Sequence, residues 1–542
     1  MKHAAQSKGR IPVLIVGGGP VGLALAAELG WRGIACTLIE QSDGVISTPK
    51  MNEVNARTME FCRRWGMAQA VHDCPFPDDH PLDVVFVTSL AGHELARMKR
   101  QPRRERQAGG PSPEHLQICS QLWFDPILRT FAQSQRSASL RYRTRLESFE
   151  TTADGVTGDL HDLDTGRHET VSADYLVGCD GGGSGIREAL GIAFEGKGIL
   201  GYPLHLYFRA PNLLARCDRE AGVFFYAIDR RGLWANIRII DPANDLWRLM
   251  VLDSGGRQTP DSIDRTALLR RALGRSVDVE WKGLSIWTRR SVVAERYGTG
   301  RIFLAGDAVH QLSPTGALGM NTGIADAVDL GWKLAAVLQG WGGTNLLASY
   351  EAERRPIGLR NVRMATELYF AHGAFDDGLA AIEDDTEDGR LLRQRLGDGL
   401  IEKIGRTFRT DGLQLGYRYE ASPICLGDGA ALPDDPEKYI ASAQPGGRAP
   451  HVWLRDGRSI LDLFGRGYVL LTFGGAETIG VEDAARARGV PLSVVAVDEP
   501  YAAATYERRL SLVRPDGHVA WRGDTAPPDA GAVIDRVRGA GA

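Results

Sequence analysis

At 542 residues the chain is too long for one ordinary hydrophobic core, so two or three domains are expected. Hydrophobic residues at 43% and charged residues at 24% are the balance of a globular protein in water, and a net charge of -4 offers no basic face to nucleic acid or to a membrane. Seven cysteines scattered singly, without a C-x-x-C, and twelve histidines without paired ligand spacing speak against a disulfide framework and a bound metal, and for a reducing cytoplasm.

The first predicted strand covers 13–16 and leads into Gly17-Gly-Gly19-Pro20-Val-Gly22, a helical run over 21–31, and a second strand over 35–40 that ends on Glu40. This is a G-x-G-x-x-G in the setting that gives it meaning: strand before, helix after, an acid at the end of the next strand. Gly17 makes the turn, Gly19 lets a pyrophosphate approach the backbone, Pro20 opens the helix, and Gly22 lets that helix pack on the strand. Glu40 is placed to take ribose hydroxyls. Lys2, Lys8 and Arg10 ahead of an apolar run also suggest a signal peptide or membrane span, but five glycines, Glu28 and the second strand argue against it. Further on, the basic run from Arg97 to Arg106 reads as a solvated mobile loop, or as an attractor for an anionic nucleotide or substrate.

A strand near Tyr175 ends in Asp180-Gly181-Gly-Gly-Ser184, with Arg187 at a helix start; the plainer reading is a glycine turn capped by Ser184. Strands with alternating character follow over 204–208, 223–228 and 233–240. They carry polar tips in apolar company at His205, Tyr207, Tyr226, Asn236 and Arg238, and the period of two puts Asn236 and Arg238 on one face. If Arg238 points inward, the ligand should carry a carboxylate or nitro group. A buried strand over 302–305 then delivers Gly306 and Asp307, followed by a loop with Pro314 and Gly316 and a helix beginning near Asn321. An acid at a strand end can bind sugar hydroxyls, and a helix N-terminus offers free N–H groups to an electron-rich ligand. Gly316 and Gly319 leave room for a flat ring system, although Asp307 as a simple N-cap is the alternative. Residues 360–415 read as helical, 420–450 as an extended connection, and the remainder as a small unit of strands alternating with helices.

Taken together these motifs resemble the group A flavoprotein aromatic hydroxylases, the family of phenol hydroxylase and the polyketide hydroxylases. The resemblance implies an α/β protein: a Rossmann-like FAD-binding domain, discontinuous over 10–75, 110–190 and 290–365; an inserted mixed β-sheet substrate domain over 76–109 and 191–289; a helical connection over 366–420; and a thioredoxin-like C-terminal domain over 421–542. That last domain lacks the redox cysteine pair, so a packing or dimerisation role, including a homodimer, is expected of it. The implied chemistry is FAD reduction by NADPH or NADH, reaction with O2 to a flavin C4a-hydroperoxide, and oxygen transfer to a small aromatic, phenolic substrate.

The resemblance further implies roles for particular residues. Asp307 would bind the ribityl chain, the backbone at Gly319, Met320 and Asn321 would face the pyrimidine edge of the ring, and Pro314 would sit where oxygen reacts. Asp180 serves FAD and nicotinamide function. Arg57, in Asn55-Ala-Arg57-Thr-Met-Glu60, would contact phosphate or ribose, and Gln121 would touch the flavin. Ser349-Tyr-Glu-Ala-Glu-Arg-Arg-Pro356 matches a family helix. The flavin-adjacent loop carries an acid in phenol hydroxylase where this chain has Asn52, which cannot act as a base. Glu53 is the nearest ionisable substitute, with Lys50 an electrostatic one. A pocket tyrosine of phenol hydroxylase falls on Trp287, which would stack on the substrate or donate from its indole N–H, or else simply fill the core; with Pro314, Asn52 and Glu53 it completes the candidate catalytic wall. His205, Tyr226, Asn236 and Arg238 are the candidate substrate contacts. Two alternatives share the scaffold: another FAD oxidoreductase such as a halogenase, whose W-x-W-x-I-P signature is absent, and a non-catalytic flavin-bound interaction protein.

Overall fold

A computed structural model describes residues 10–106, 110–253, 256–373, 378–429 and 432–540; Lys2 and Lys8 of the N-terminal basic run lie outside them. The central sheet is ordered Gly298–Thr299, Ile302–Leu304, His168–Gly178, Ile11–Val16, Cys36–Ile39, Ala138–Arg141, with the antiparallel pair Thr144–Thr151 and Val156–Asp162 continuing from His168–Gly178. Its four inner strands run parallel, with Val13 facing both Tyr175 and Cys36 and Leu176 facing Ile302. Parallel strands end at one edge, so Glu40, Asp180 and Asp307 arrive side by side at the mouth of the Gly17–Gly22 turn. The helix Pro20–Trp31 is buried from Gly22 to Gly30 between this sheet and the long helix Gly319–Leu338. That apolar segment is thus strand, turn and core helix, and no described helix is long and apolar enough to cross a membrane.

Seven strands form a second sheet: Glu280–Ile286, Leu204–Arg209, Leu246–Val251, Gly232–Asp241, Phe224–Asp229, Val84–Val87 and Glu94–Met98. Between the two sheets lies a three-stranded piece, Phe194–Gly201, Arg289–Ala294 and His310–Gln311, that the sequence does not announce. Its first strand reads Phe-Glu-Gly-Lys-Gly-Ile-Leu-Gly, and register shifts between Gly196 and Gly198 and between Ile199 and Gly201 show why: glycines break the alternation that marks a strand.

One expectation needs correction. The basic run is no mobile loop. Arg97 belongs to the strand Glu94–Met98 and pairs with Asp83 at 3.1 Å and Glu94 at 3.0 Å, and Arg103 pairs with Asp78 at 2.5 Å. Arg97 and Arg103 thus meet acids placed by the segment before them, Asp83 and Asp78, which a one-dimensional reading of charge misses. One helix runs unbroken from Ala348 to Gly373 with Pro356 inside it, so residue 365 lies within it. A second helix, Glu387–Gly405, follows.

The C-terminal sheet is ordered Leu492–Ala496, Tyr468–Thr472, Leu510–Val513, Val519–Gly523, the first pair parallel and the others antiparallel, flanked by helices Ile479–Ala487, Pro500–Tyr506 and Ala530–Val537. This unit does not stand apart. Trp332 of the long helix and Trp341 just beyond it share a core with Tyr468, Leu470 and Leu512. Arg514 donates to both Glu353 oxygens at 2.6 and 2.9 Å and to Asp329 at 3.1 Å, while Lys333 donates to Asp329 at 2.7 Å and Glu353 at 2.6 Å. Arg448 grips both Glu60 oxygens through Nε and Nη2. Burial pushes Glu60 up, but Arg448 and Arg57 outweigh it and hold the carboxyl at about 2.

His518, fully enclosed beside Tyr419 and Asp516, is lowered to about 4 by burial, which outweighs the pull of Asp516. The unfolded chain therefore takes up this proton near pH 6.5, whereas the folded chain resists it down to about pH 4. Stability should fall as pH drops through that window, by roughly 3 kcal/mol for this group. His372 and His451, also lowered to about 4, add to the slope. Urea midpoints at pH 7 and pH 5 test this: His518→Gln should flatten the dependence, and an identical slope in the variant would remove His518 from the account.

Candidate functional site

The glycine turn has the shape its spacing implies. At Gly17, φ is +109°, and a Cβ would lie 2.3 Å from the Cys179 carbonyl oxygen; at Gly22 it would lie 1.9 Å from the Gly17 oxygen. Side chains are thus excluded where loop, strand and helix meet. Gly19 instead faces open space, with nothing within 4 Å of an added Cβ. It is the N-cap of a helix whose first residue is Pro20 and whose N-terminus has no side-chain cap, which leaves backbone donors for an anion. Glu40 is held at the same turn by the N–H groups of Gly18 and Ser42, each at 2.7 Å.

The two other acids are set differently. One oxygen of Asp180 accepts from Ile186 N at 3.2 Å, and the other is buried with no protein partner. Ser184 caps the short helix Gly185–Ala189, accepting from Arg187 N, as the plainer reading expects. Asp307 lies in the turn Gly306–Ala308, not at the cap of the long helix, where Leu318 stands. Behind it Asp326 accepts from Gly306 N at 3.2 Å, His310 at 2.7 Å and Arg354 at 2.7 Å, fixing the turn. Asp307 itself faces the cleft, and no donor among the described residues reaches its carboxylate. The surrounding protein pushes this carboxyl up, and His310 and Lys50 oppose the shift.

Pro314 is exposed, and its carbonyl closes a tight turn on Ala317 N at 3.1 Å. The helix Gly319–Leu338 begins two residues earlier than the sequence suggested, and its first intrahelical bond is from Thr322 N to the Leu318 carbonyl. The N–H groups of Gly319, Met320 and Asn321 precede that bond and remain available. The Asn321 side chain points into the protein: it accepts from Asn55 N and Thr58, and donates to the carbonyls of Glu53 and Ala317. It thereby docks the helix against the strand Glu53–Val54 and the loop before it. An uncapped helix start at each end of the cleft, an open glycine loop and three acids fit an extended dinucleotide bearing a flat ring.

The second sheet turns one face to this cleft. In register, His205 stands opposite Met250, Met250 opposite Asn236, and Asn236 opposite Tyr226; one step on, Tyr207, Arg248, Arg238 and Phe224 form the next row. All four candidate substrate residues therefore share one face. Trp287 donates to His205 Nε2 at 3.2 Å, His205 Nδ1 lies 3.3 Å from the Tyr207 hydroxyl, and that hydroxyl donates to the Pro49 carbonyl at 2.6 Å. Burial and the charges of Arg248 and Arg289 keep His205 well below its usual range, so it is neutral, with Nε2 accepting and Nδ1 donating. This chain of bonds joins the sheet to the loop bearing Lys50, Asn52 and Glu53. Arg238 donates to Glu53 at 3.1 Å, which makes Glu53 its counter-ion. Asn52 is buried with its side-chain oxygen unpartnered, and Asn236, 1% exposed, has neither amide atom partnered.

Arg57 is placed elsewhere than expected. Its guanidinium binds Glu60 at 2.8 Å and the Asp516 carbonyl at 2.9 Å, so it fastens the C-terminal unit and does not reach the nucleotide end. Lys50 is the cation that bears on Asp307. Gln121 accepts from Lys50 N and donates to Asp125, both at 2.9 Å, and so braces the loop. Arg100, Arg248 and Arg289 were missed. Arg248 is legible in hindsight as an arginine in an otherwise apolar strand; Arg100 was hidden in the basic run.

Residues 10–365 match the family described as FAD binding domain, and residues 442–540 match aromatic-ring hydroxylase, C-terminal. The chain is 34% identical over 570 residues to a 4-methyl-5-nitrocatechol 5-monooxygenase of Burkholderia sp, covering 97% of each protein. It is 34% identical over 558 residues to a tetracenomycin B2 monooxygenase-dioxygenase of Streptomyces olivaceus, covering 97% of this chain and 98% of that one. Among solved structures, the rebeccamycin biosynthetic enzyme RebC with reduced flavin superposes with a TM-score of 0.90 at 40% identity, covering 98% of this chain and all of that one. Aklavinone-11 hydroxylase with FAD and aklavinone gives 0.81 at 30% identity, with the same coverage.

Proposed function

Because the chain belongs to the FAD-dependent aromatic-ring hydroxylases, we propose that its own substrate is a phenolic ring bearing an anionic substituent, hydroxylated with electrons from NADPH or NADH and oxygen from O2. When bound, FAD supplies the electron transfer and the oxygen activation. The chain's residues do the rest. The Gly17–Gly22 turn would hold the cofactor's pyrophosphate and Asp307 its ribityl chain, and the N-terminus of the helix Gly319–Leu338 would offer N–H groups to the polar edge of the ring. Asp180, with one buried oxygen unpartnered, would add an acceptor there.

The observation that carries the substrate reading is the charge on the sheet face. Arg238 and Arg248 stand directly opposite each other on neighbouring strands, a repulsive pairing in a buried place. Arg100 bears on the same group, and Glu53 is the acid set against them. A ligand anion would relieve this imbalance and give the unpartnered Asn236 amide an acceptor. Positive charge there also favours the phenolate, the form that electrophilic oxygen transfer needs. Difference spectra with aromatic acids and their methyl esters test the reading. The acid should bind at least about 10-fold more tightly, a difference of roughly 1.4 kcal/mol, and Arg238→Met should erase the preference. Equal binding of ester and acid would sink it.

Trp287 closes the other side of this face. Trp287→Ala should leave flavin content unchanged, weaken substrate binding and raise the fraction of reducing equivalents released as H2O2, because water gains entry. Peroxide measured against nicotinamide oxidised checks this, and unchanged coupling would take Trp287 out of the pocket.

A further inference from the structure

We propose that Tyr207 is a positioning residue for ring hydroxylation, tying the substrate side of the pocket to the flavin-adjacent loop through the peptide between Pro49 and Lys50. Both ends of that peptide are held, by side chains from different parts of the fold. Its carbonyl accepts from the Tyr207 hydroxyl at 2.6 Å, and its N–H donates to Gln121 Oε1 at 2.9 Å. Tyr207, 1% exposed, belongs to the strand Leu204–Arg209 of the second sheet, whereas Gln121 opens the helix Gln121–Ser134, which packs on Pro20–Trp31. A peptide unit is planar and proline stiffens the backbone before it, so turning the carbonyl turns the N–H as well. Two more bonds fasten the loop from the side of Gln121: its own N–H to the Met51 carbonyl at 3.0 Å, and Cys119 N to the Asn52 carbonyl at 3.1 Å. Tyr207 answers them from the opposite side.

A second observation seats the loop on this part of the sheet. Gly283 stands opposite Tyr207 in the strand Glu280–Ile286, and a Cβ added there would lie 2.8 Å from Thr48 Cγ2. The missing side chain leaves the space that Thr48 uses. Behind Tyr207 the hydrogen bonds run in one direction. An indole N–H can only donate, so Trp287 makes His205 Nε2 the acceptor and Nδ1 the donor to the Tyr207 oxygen, and the Tyr207 proton is left for Pro49. Bonds aligned in this way strengthen one another. An aromatic ring settling on Trp287 thereby steadies the loop that carries Lys50, Asn52 and Glu53 during oxygen transfer. This role rests on the proposed use of the sheet face by the substrate.

The test is made on the flavin-loaded, full-length protein. Tyr207→Phe removes one hydroxyl and leaves the buried Pro49 carbonyl without its donor. Hydrogen–deuterium exchange over residues 48–53 should become several-fold faster, with flavin content unchanged. With a hydroxybenzoate that the wild-type enzyme hydroxylates, KM should stay nearly constant while product formation falls roughly 10- to 100-fold and peroxide release rises, the loss expected of small misplacements at a reacting centre. Gly283→Val suits a strand but pushes Thr48 away; it should give the same pattern, and combining the two should add little, because both act through one loop. Tyr506→Phe is the control for stability. It deletes a like bond in the C-terminal unit, Tyr506 to the Pro450 carbonyl at 3.0 Å, and should lower the melting temperature without changing exchange at 48–53 or peroxide release. Unchanged exchange in Tyr207→Phe, a raised KM with kcat intact, the same losses in Tyr506→Phe, or fully additive effects with Gly283→Val would each overturn the proposal. If Tyr207→Phe fails to fold, Gly283→Val carries the same measurements. A protein that binds no hydroxybenzoate in difference spectra would count against the substrate reading, and exchange at 48–53 would still decide whether Tyr207 holds the loop.

Discussion

Asp307→Ala should come off purification nearly colourless. The carboxylate is exposed with no donor of its own among the described residues, so the hydrogen bonds it would lose are those proposed to the cofactor, worth about 1.5–3 kcal/mol for a charged acceptor. Affinity should fall roughly 10- to 100-fold. The fold should survive, because the turn is held from behind by Asp326, His310 and Arg354 and not by Asp307. Asp307→Asn, which keeps an acceptor, should retain more flavin than the alanine variant. The ratio of flavin to protein absorbance and equilibrium dialysis give the answer. A fully yellow alanine variant with unaltered FAD affinity would show that the acid at this strand end serves something else.

Removing the chain after about residue 420 should give insoluble protein without flavin. From the sequence, such a truncation would touch solubility or oligomeric state before flavin chemistry. The structure makes the loss larger. Without Arg514, Glu353 and Asp329 are left with Lys333 alone, and without Arg448, Glu60 keeps only Arg57 and Ser112. Breaking a buried ion pair costs about 3–5 kcal/mol, and two such losses approach the whole stability of an ordinary domain. Trp332 would also lose Tyr468 from its core. The single variant Arg514→Met should stay soluble but melt at a markedly lower temperature. A soluble, flavin-loaded 1–420 fragment would refute the argument.

What could be read in advance follows from how local each determinant is. The Gly17–Gly22 turn was legible because backbone crowding dictates glycine at Gly17 and Gly22. The sheet face bearing His205, Tyr226, Asn236 and Arg238 was legible because a strand's period of two is a local fact. Arg57 was not, since an arginine near a family motif looks the same whether its partner is a phosphate or the Asp516 carbonyl more than 400 residues away. Glu53 was visible as an ionisable group, but Arg238, which makes it a counter-ion, comes from another sheet. The strand Phe194–Gly201 was hidden by its glycines, and the order within the basic run by acids lying outside it.

The helix Gly319–Leu338 starts where the ring of the cofactor would rest and carries Asp329 and Lys333 into the charged junction with the C-terminal unit. One rigid element thus belongs to both places, and its two ends cannot be selected independently. A lineage that alters Arg514 or Arg448 disturbs the seat of the cofactor as well as the junction, and a tail borrowed from a diverged relative must bring matching cations for Glu353, Asp329 and Glu60. The tail, which carries no cysteine pair, is thereby tied to the nucleotide site through this helix.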